Sequence, residues 1–320
     1  MAWLHTYFQI YYTSLLVYNK NLCINNMHHG KCHLCLRDKY LQLSHVLPKF
    51  IFKWYKHNSP SYLRSGLEPN MRIQDGEKEY LFCEECEQRF SKWEDRFARE
   101  VFPKLQDPEN ANPIVNYKEW AIKFATSVSF RVAVFSEKEN RLAHFPDELK
   151  AETQKAKEQW RKVLLGEIEH PGKYEQHLMH LDVIESHIVP NQSRFMNRYF
   201  IGATHADMVC SDDTAFTYAK MFRVVIFGHI TELRNKWHGT RISPQYGTFG
   251  GKSIVVPDYV IEYMSGKANE LLHAGDKLSQ RQHEVIEKNV LNNARRMVST
   301  AMFKASISDK MLAKGQKNDT

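Results

Sequence analysis

Cysteine is scarce in this sequence, six residues in 320, and no dense cysteine framework runs through it. The disulfide-stapled scaffold of a small secreted domain is therefore excluded, and thiols in a reducing, cytoplasmic compartment are expected instead. There is no glycine-rich phosphate loop, no Gly-x-Ser-x-Gly elbow and no internal repeat, which removes the local signatures of P-loop hydrolases, α/β-hydrolases and solenoids. Long apolar runs are missing too. The run from Trp3 to Tyr18 is interrupted by His5, Thr6, Gln9, Thr13 and Ser14. It falls short of the roughly 20 residues a spanning helix needs and lacks the basic start of a signal peptide. No membrane span is expected, and residues 1–26 read as an uncertain leader, with Met27 as an alternative start. Charge of one sign is in modest excess only, +7 overall, compatible with a polyanionic partner without requiring one.

What is present begins with the placement of four of those cysteines. Cys32 and Cys35 lie in KCHLCLRDKY, and Cys83 and Cys86 in YLFCEECEQRF. Two intervening residues in each pair let both thiolates reach one tetrahedral ion, so the four form a candidate closed structural zinc site. Cys23 and Cys210 have no near partner and read as ordinary buried thiols. His28, His29 and His33 crowd the first pair, and with four cysteines at hand they read as exposed or as neighbours of the ligands. Between the pairs, LSHVLPKF places His45 on an apolar stretch ended by Pro48; it is the candidate for chemistry inside the clasp.

A hydrophobic content of 42% describes a chain that buries a sizeable core,. Residues 27–105 form the cysteine-bearing module. Phe50, Ile51 and Trp54 suit one face of a short helix, and 57–79 reads as a connecting loop with a short strand before Cys83. Phe90, Trp93, Phe97 and Val101 predict an amphipathic helix stopped at Pro103. The polar stretch 106–113 is the best boundary, and 114–305 is expected to be mostly helical. Helices are predicted over 117–136, apolar all round, and over 147–165, charged and ended at Gly166. Residues 177–189 stay ambiguous between strand and helix, 198–210 has strand-like composition, and 213–236 shows helical spacing. A hairpin turning at Gly250 and Gly251 is predicted over 240–256, then helices from Asp258 to about His273 and over 280–305, and a polar tail at 306–320. The fold expected is α+β, predominantly α.

The order CHLC, SHVLP, CEEC and then a helix resembles the zinc-stapled HNH endonucleases, the treble-clef or His-Me finger group, over about residues 32–97. The resemblance implies a small ββα-type module in which His45 is the general base, Ser44 occupies a metal-ligand position and Glu87 the metal-binding position on the helix. Ser44 stands where the family has Asp, Glu87 where it has His or Asn, and the family's middle Asn has no match, Asn70 being too far upstream. A carboxylate suits a hard catalytic Mg2+ or Mn2+, and Glu94, two helical turns on, lies on the same face to complete the shell. Cleavage would then use His45 to take a proton from water, with Lys49, Lys53, Arg89, Lys92 and Arg96 on backbone phosphates. The function implied is a metal-dependent endonuclease cleaving DNA phosphodiester bonds, with RNA as the alternative partner, in a bacterial defence or mobile-element setting. The rival expectation is a catalytically inactive zinc module that binds nucleic acid or a protein partner, including another copy of the chain. A third places activity in the second domain, where His205 and Asp207 or His229 and His238 are available without convincing spacing.

Overall fold

The computed structural model describes residues 28–59, 62–110, 112–233, 237–251 and 253–315; the proposed leader 1–26 and the end of the tail lie outside the described residues. The first pair of cysteines sits in the turn between β1 (His28–Lys31) and β2 (Asp38–His45), which pair antiparallel. Pro48 precedes α1 (Lys49–Asn58), whose Ile51 and Phe52 are buried. A two-residue ladder, β3 (Leu63–Arg64) with β4 (Arg72–Ile73), occupies the loop region. Next, β5 (Lys78–Cys83) joins β2 antiparallel to complete a three-stranded sheet, and α2 (Glu84–Arg96) starts directly from its last residue.

The predicted helix does not simply stop at Pro103. It passes through a π turn, Phe97–Val101, into α3 (Phe102–Gln106), with Pro103 in the first turn, where its missing N–H has no intrahelical role,. One buried cluster then runs from Cys32 through Phe97 and Phe124 to Phe249, so side chains on both sides of 106–113 share a core.

Beyond β6 (Val115–Tyr117), α4 (Trp120–Lys138) is buried nearly all round, as its sequence predicts, and α5 (Asp147–Leu165) ends on Gly166 in the left-handed region at φ 81°. The rest corrects the expectation of a mostly helical body. Strands β7 (Gln176–His180), β8 (Thr204–Cys210), β9 (Ala215–Met221) and β10 (Val224–His229) form an antiparallel sheet in the order β7-β10-β9-β8, with α6 (Met196–Gly202) before β8. The chain is mixed α/β, 46% helical and 20% strand, so "predominantly α" is too strong.

Residues 213–236 mislead because the sheet is covered on both faces. Ala219, Met221, Val224 and Ile226 face the cluster that holds α4, and Phe216, Tyr218, Val225 and Phe227 face a second cluster. Strands buried on both sides lose the apolar and polar alternation that marks a strand. The second cluster is closed by α6 and by α7 (Asp258–Asp276).

The predicted 240–256 hairpin is corrected as well. β11 (Gly247–Phe249) pairs with β6, far away in sequence. Gly250, at φ 71°, lets the chain leave that pair where a Cβ would lie 1.8 Å from the Pro113 carbonyl oxygen,. The last predicted helix divides into α8 (Gln280–Asn292), α9 (Ala294–Val298) and α10 (Ala301–Gly315), and the last of these takes in much of the expected tail. Asp309 of α10 ties it down by accepting bonds from the Asn197 and Arg198 backbone N–H groups, at 2.9 and 3.2 Å, at the start of α6. Among the described residues, no helix is long and apolar enough to cross a membrane.

Candidate metal centre and the polar pocket beside it

The first cysteine pair is held by a tight turn. Cys32 N–H donates to the Arg37 carbonyl at 2.9 Å and Leu36 N–H to the Cys32 carbonyl at 2.8 Å. This closure puts Leu36 at φ 59°, a left-handed conformation costly for a residue with a Cβ,. The second pair uses a strand-to-helix junction, with Cys83 at the N-cap of α2 and Cys86 in its first turn. Pairing of Leu41 with Cys83, and a 3.1 Å bond from His33 N–H to the Leu81 carbonyl, bring the two turns together.

All four sulfurs consequently lie within 4.8 Å of one another. Cys35 Sγ and Cys83 Sγ are 3.8 Å apart, which matches the edge of about 3.8 Å of a tetrahedron with Zn–S arms of about 2.3 Å. The four cysteines fit a metal ion such as zinc. Hydrogen bonding from Cys86 pushes the Cys32 thiol down against the opposing effect of burial, helped by backbone N–H groups, while Cys86, as the donor, is pushed up. Arg37 stands at the open side, its guanidinium raised chiefly by its hydrogen bond to Cys35, and cationic help of this kind favours the thiolate form a metal needs. The neighbouring histidines meet rings instead: His28 stacks on Tyr80 at 4.5 Å, and His29 and His33 lie edge-on to Tyr40 and Phe82. Among the described residues, the four cysteines are the only group of three or more His, Cys, Asp or Glu side chains whose ligand atoms gather closely enough to share one metal ion. Cys210 is a free, half-buried thiol, and Cys23 lies outside the described residues.

Because β2 and α2 are both anchored at the clasp, the end of one faces the first turns of the other. Ser44 Oγ donates to Glu87 Oε1 at 2.6 Å, so the two residues named as ligand positions do meet. His45 turns to a different partner, its Nε2 lying 2.8 Å from Asp75 Oδ1 while its ring stacks against Phe52. Asp75 also holds Lys78 at 2.8 Å. Burial opposes its charge, yet the hydrogen bonds from Lys78 and His45 hold its carboxyl down at about 2. Burial lowers His45, with Asp75 opposing, so the imidazole favours its neutral form,.

Glu94 does not reach toward a cation site shared with Glu87. It forms an ion pair with Arg131 of α4, a residue only 1% exposed. Arg131 Nη1 also donates to the His45 carbonyl at 3.2 Å and Nε to the Ser127 carbonyl at 3.3 Å. Burial raises the Glu87 carboxyl, and the charge of Arg131 and the Ser44 hydroxyl oppose it. A buried guanidinium supplies the positive charge these carboxylates face, and the Ser44 hydroxyl fills the nearest acceptor. Among the described residues, no second group of three or more metal-ligating side chains gathers here.

Asp75 and Arg131 were both missed in the sequence. The signal for Arg131 was legible, an arginine in a helix apolar all round, since such a charge must find a partner. Asp75 sits in an Asp-Gly turn that looks like any loop. Of the proposed phosphate contacts, Lys49, Lys53 and Lys92 are exposed. Arg89 instead donates to the Leu164 and Leu165 carbonyls at the end of α5, and Arg96 pairs with Glu100. In the second half, His205 is 3.4 Å from Asp207, which also accepts from Tyr263 at 3.0 Å. His229 packs on His177 and Trp237, whereas His238 pairs with Val255 through the backbone.

No protein-family model matches the chain, and comparison with curated proteins and with solved structures finds no match either.

Proposed function

We propose that this chain is a nucleic-acid-binding protein built on a zinc-clasped, HNH-like module that does not cleave. The observation that carries the reading is Arg131, which neutralises Glu94, faces Glu87 and braces the His45 backbone from inside the core. With Ser44 donating to Glu87, the positions that the resemblance assigns to a catalytic ion are satisfied within the protein. The zinc clasp then serves to fix a strand, a helix and α1 as a rigid platform in a reducing cytoplasm.

The partner follows from charge. Lys49, Lys53 and Lys56, at i, i+4 and i+7, stand exposed on one face of α1,. Arg296, on an element more than 200 residues away, donates to the carbonyl of His57 at the end of that helix at 2.8 Å, and Arg295 beside it is exposed. Lysines and arginines gathered from distant segments along one ridge suit a phosphate backbone.

A second reading, hydrolysis by the same module, is favoured by one observation. The Asp75–His45 pair has the form of a base with an orienting carboxylate,. One experiment decides between the two. Zinc-loaded protein is incubated with plasmid and Mg2+ or Mn2+, and duplex binding is followed by anisotropy across a salt series. Hypothesis: the plasmid stays intact, affinity falls steeply with salt, and replacing Lys49, Lys53 and Lys56 by Gln lowers the slope of log K against log salt by up to about 2.7. Nicking that disappears in His45→Ala would establish the second reading instead, and an affinity indifferent to salt would discard the ridge.

A further inference from the structure

The π turn at Phe97–Val101 lies beside an open cavity of about 600 Å³. It forms where the amino-terminal module meets the β6–β11 pair. Phe97 stacks on Phe124 at 4.0 Å inside the core, and the widened turn leaves Arg96 and Glu100 both lining the cavity as an ion pair at 3.5 Å. A π turn weakens regular helical bonding and recurs at functional positions.

Trp120 lines the cavity as a nearly buried floor, and the Arg96 guanidinium lies 5.4 Å from the centre of its ring. Gly247 faces Tyr117 so closely that a Cβ would lie 2.3 Å from the phenol oxygen, which accepts from Ser243 N–H at 2.9 Å. The wall is therefore fixed. On its rim Tyr246 is 75% exposed, and Lys118 stands across from it on the other strand's side. A large exposed aromatic ring, two cations and a polar rim around a cavity of this size differ from a plain solvated surface.

We propose that this cavity binds one unpaired nucleotide, its base stacked on Tyr246 and its phosphate held by Lys118 and Arg96. Stacking is tolerant of base identity because every base offers a π face. Glu100 pins the guanidinium over Trp120 and adds a negative charge that disfavours a dense polyphosphate, so a single phosphate group is the matching anion. The nucleotide can be free or can belong to a single strand; the strand form rests on the nucleic-acid reading above, and the free form does not.

The test uses the full zinc-loaded chain with three probes: AMP, followed by tryptophan fluorescence, and a labelled dT12 strand and a 12-base-pair duplex, followed by anisotropy. Tyr246→Ala is expected to weaken dT12 binding about 5-fold to 150-fold, the range of one lost base stack. Tyr246→Phe keeps it within about twofold, since the ring remains. Lys118→Gln lowers the single-strand salt slope by about 0.7. AMP binding with the same dependence on Tyr246 identifies a free nucleotide as a ligand, and dT12 binding without AMP identifies the strand. Equal affinities of wild type and Tyr246→Ala for both AMP and dT12, or no binding of either by the wild type, would overturn the inference. Duplex binding that responds only to the α1 lysines would then leave the broader reading standing. Tyr246-dependent AMP binding with no nucleic-acid affinity would remove the broader reading and keep this one.

Discussion

The cysteine clasp at residues 32–86 and the hairpin at 215–229 solve the same problem, reversing the chain at a residue other than glycine. Leu36 takes φ 59° in the first and Phe222 φ 57° in the second. In the clasp, the two bonds across Cys32 close the turn locally, and the fixed spacing of the thiols announces it. The hairpin has a two-residue loop, Phe222-Arg223, with only the first at positive φ, the pattern of a type II′ turn whose first central position ordinarily takes glycine,. Distant groups hold it there. Phe222 stacks on Tyr55 at 5.3 Å, its N–H donates to the Ala203 carbonyl at 3.1 Å, and the guanidinium of Arg223 donates to the Leu181 and Asp107 carbonyls. A turn made by local chemistry can be read from sequence; one imposed by remote packing cannot.

Breaking the clasp should have the largest effect. Purified protein is expected to carry one zinc ion per chain, and Cys83→Ser or a strong chelator removes a binding free energy on the order of 10 kcal/mol from the folded state. Metal analysis together with near-UV circular dichroism checks this. Retention of full structure without metal would make the four sulfurs ordinary core thiols.

Next come the two changes that test remote packing. Arg131→Met leaves Glu94 without its buried partner and is expected to cost about 3–5 kcal/mol in a urea titration. Adding Glu94→Gln should recover much of that, because the uncompensated charge is then gone. Phe222→Ala removes a buried ring while keeping the positive φ, at a cost of about 3–5 kcal/mol. A far smaller loss would mean that the remote packing of this ring does not hold the turn.

A smaller effect sharpens the polar pocket. The folded-state Asp75 carboxyl lies at about 2, below its ordinary value of 3.8. A depressed acid contributes stability that is present above the unfolded value and lost as pH falls through the folded one. Asp75→Asn is therefore expected to cost at most about 2 kcal/mol at pH 7, the cost shrinking as pH falls from about 4 to about 2. Paired pH–stability curves measure it, and NMR titration should show His45 falling further once its partner is neutral. Least of all, Leu36→Gly relieves the left-handed strain but loosens the unfolded chain, for a net gain of at most about 1 kcal/mol in thermal stability.

Legibility follows the range of the forces involved. The helices over 120–138 and 147–165 were readable because their periodicity and their ends are local. The strands at 215–221 and 224–229 were not, since burial on both faces erased the alternation and no Asn-Gly or Gly-led turn marked the reversal,. At the site, Ser44 and Glu87 meet as their positions suggested. The partner of His45 sits 30 residues away in a loop, and that of Glu94 on a helix 37 residues on; the sequence signals that Arg131 needs a partner but not that Glu94 is the one, and for Asp75 it signals nothing.

By itself the sequence determined that four thiols would be presented in two close pairs, because each pair depends on two intervening residues and nothing more. The tertiary structure alone decided which charge His45 and Glu94 would face. A buried ion takes whichever counter-charge packing delivers, and here α4 delivers a guanidinium into the core,.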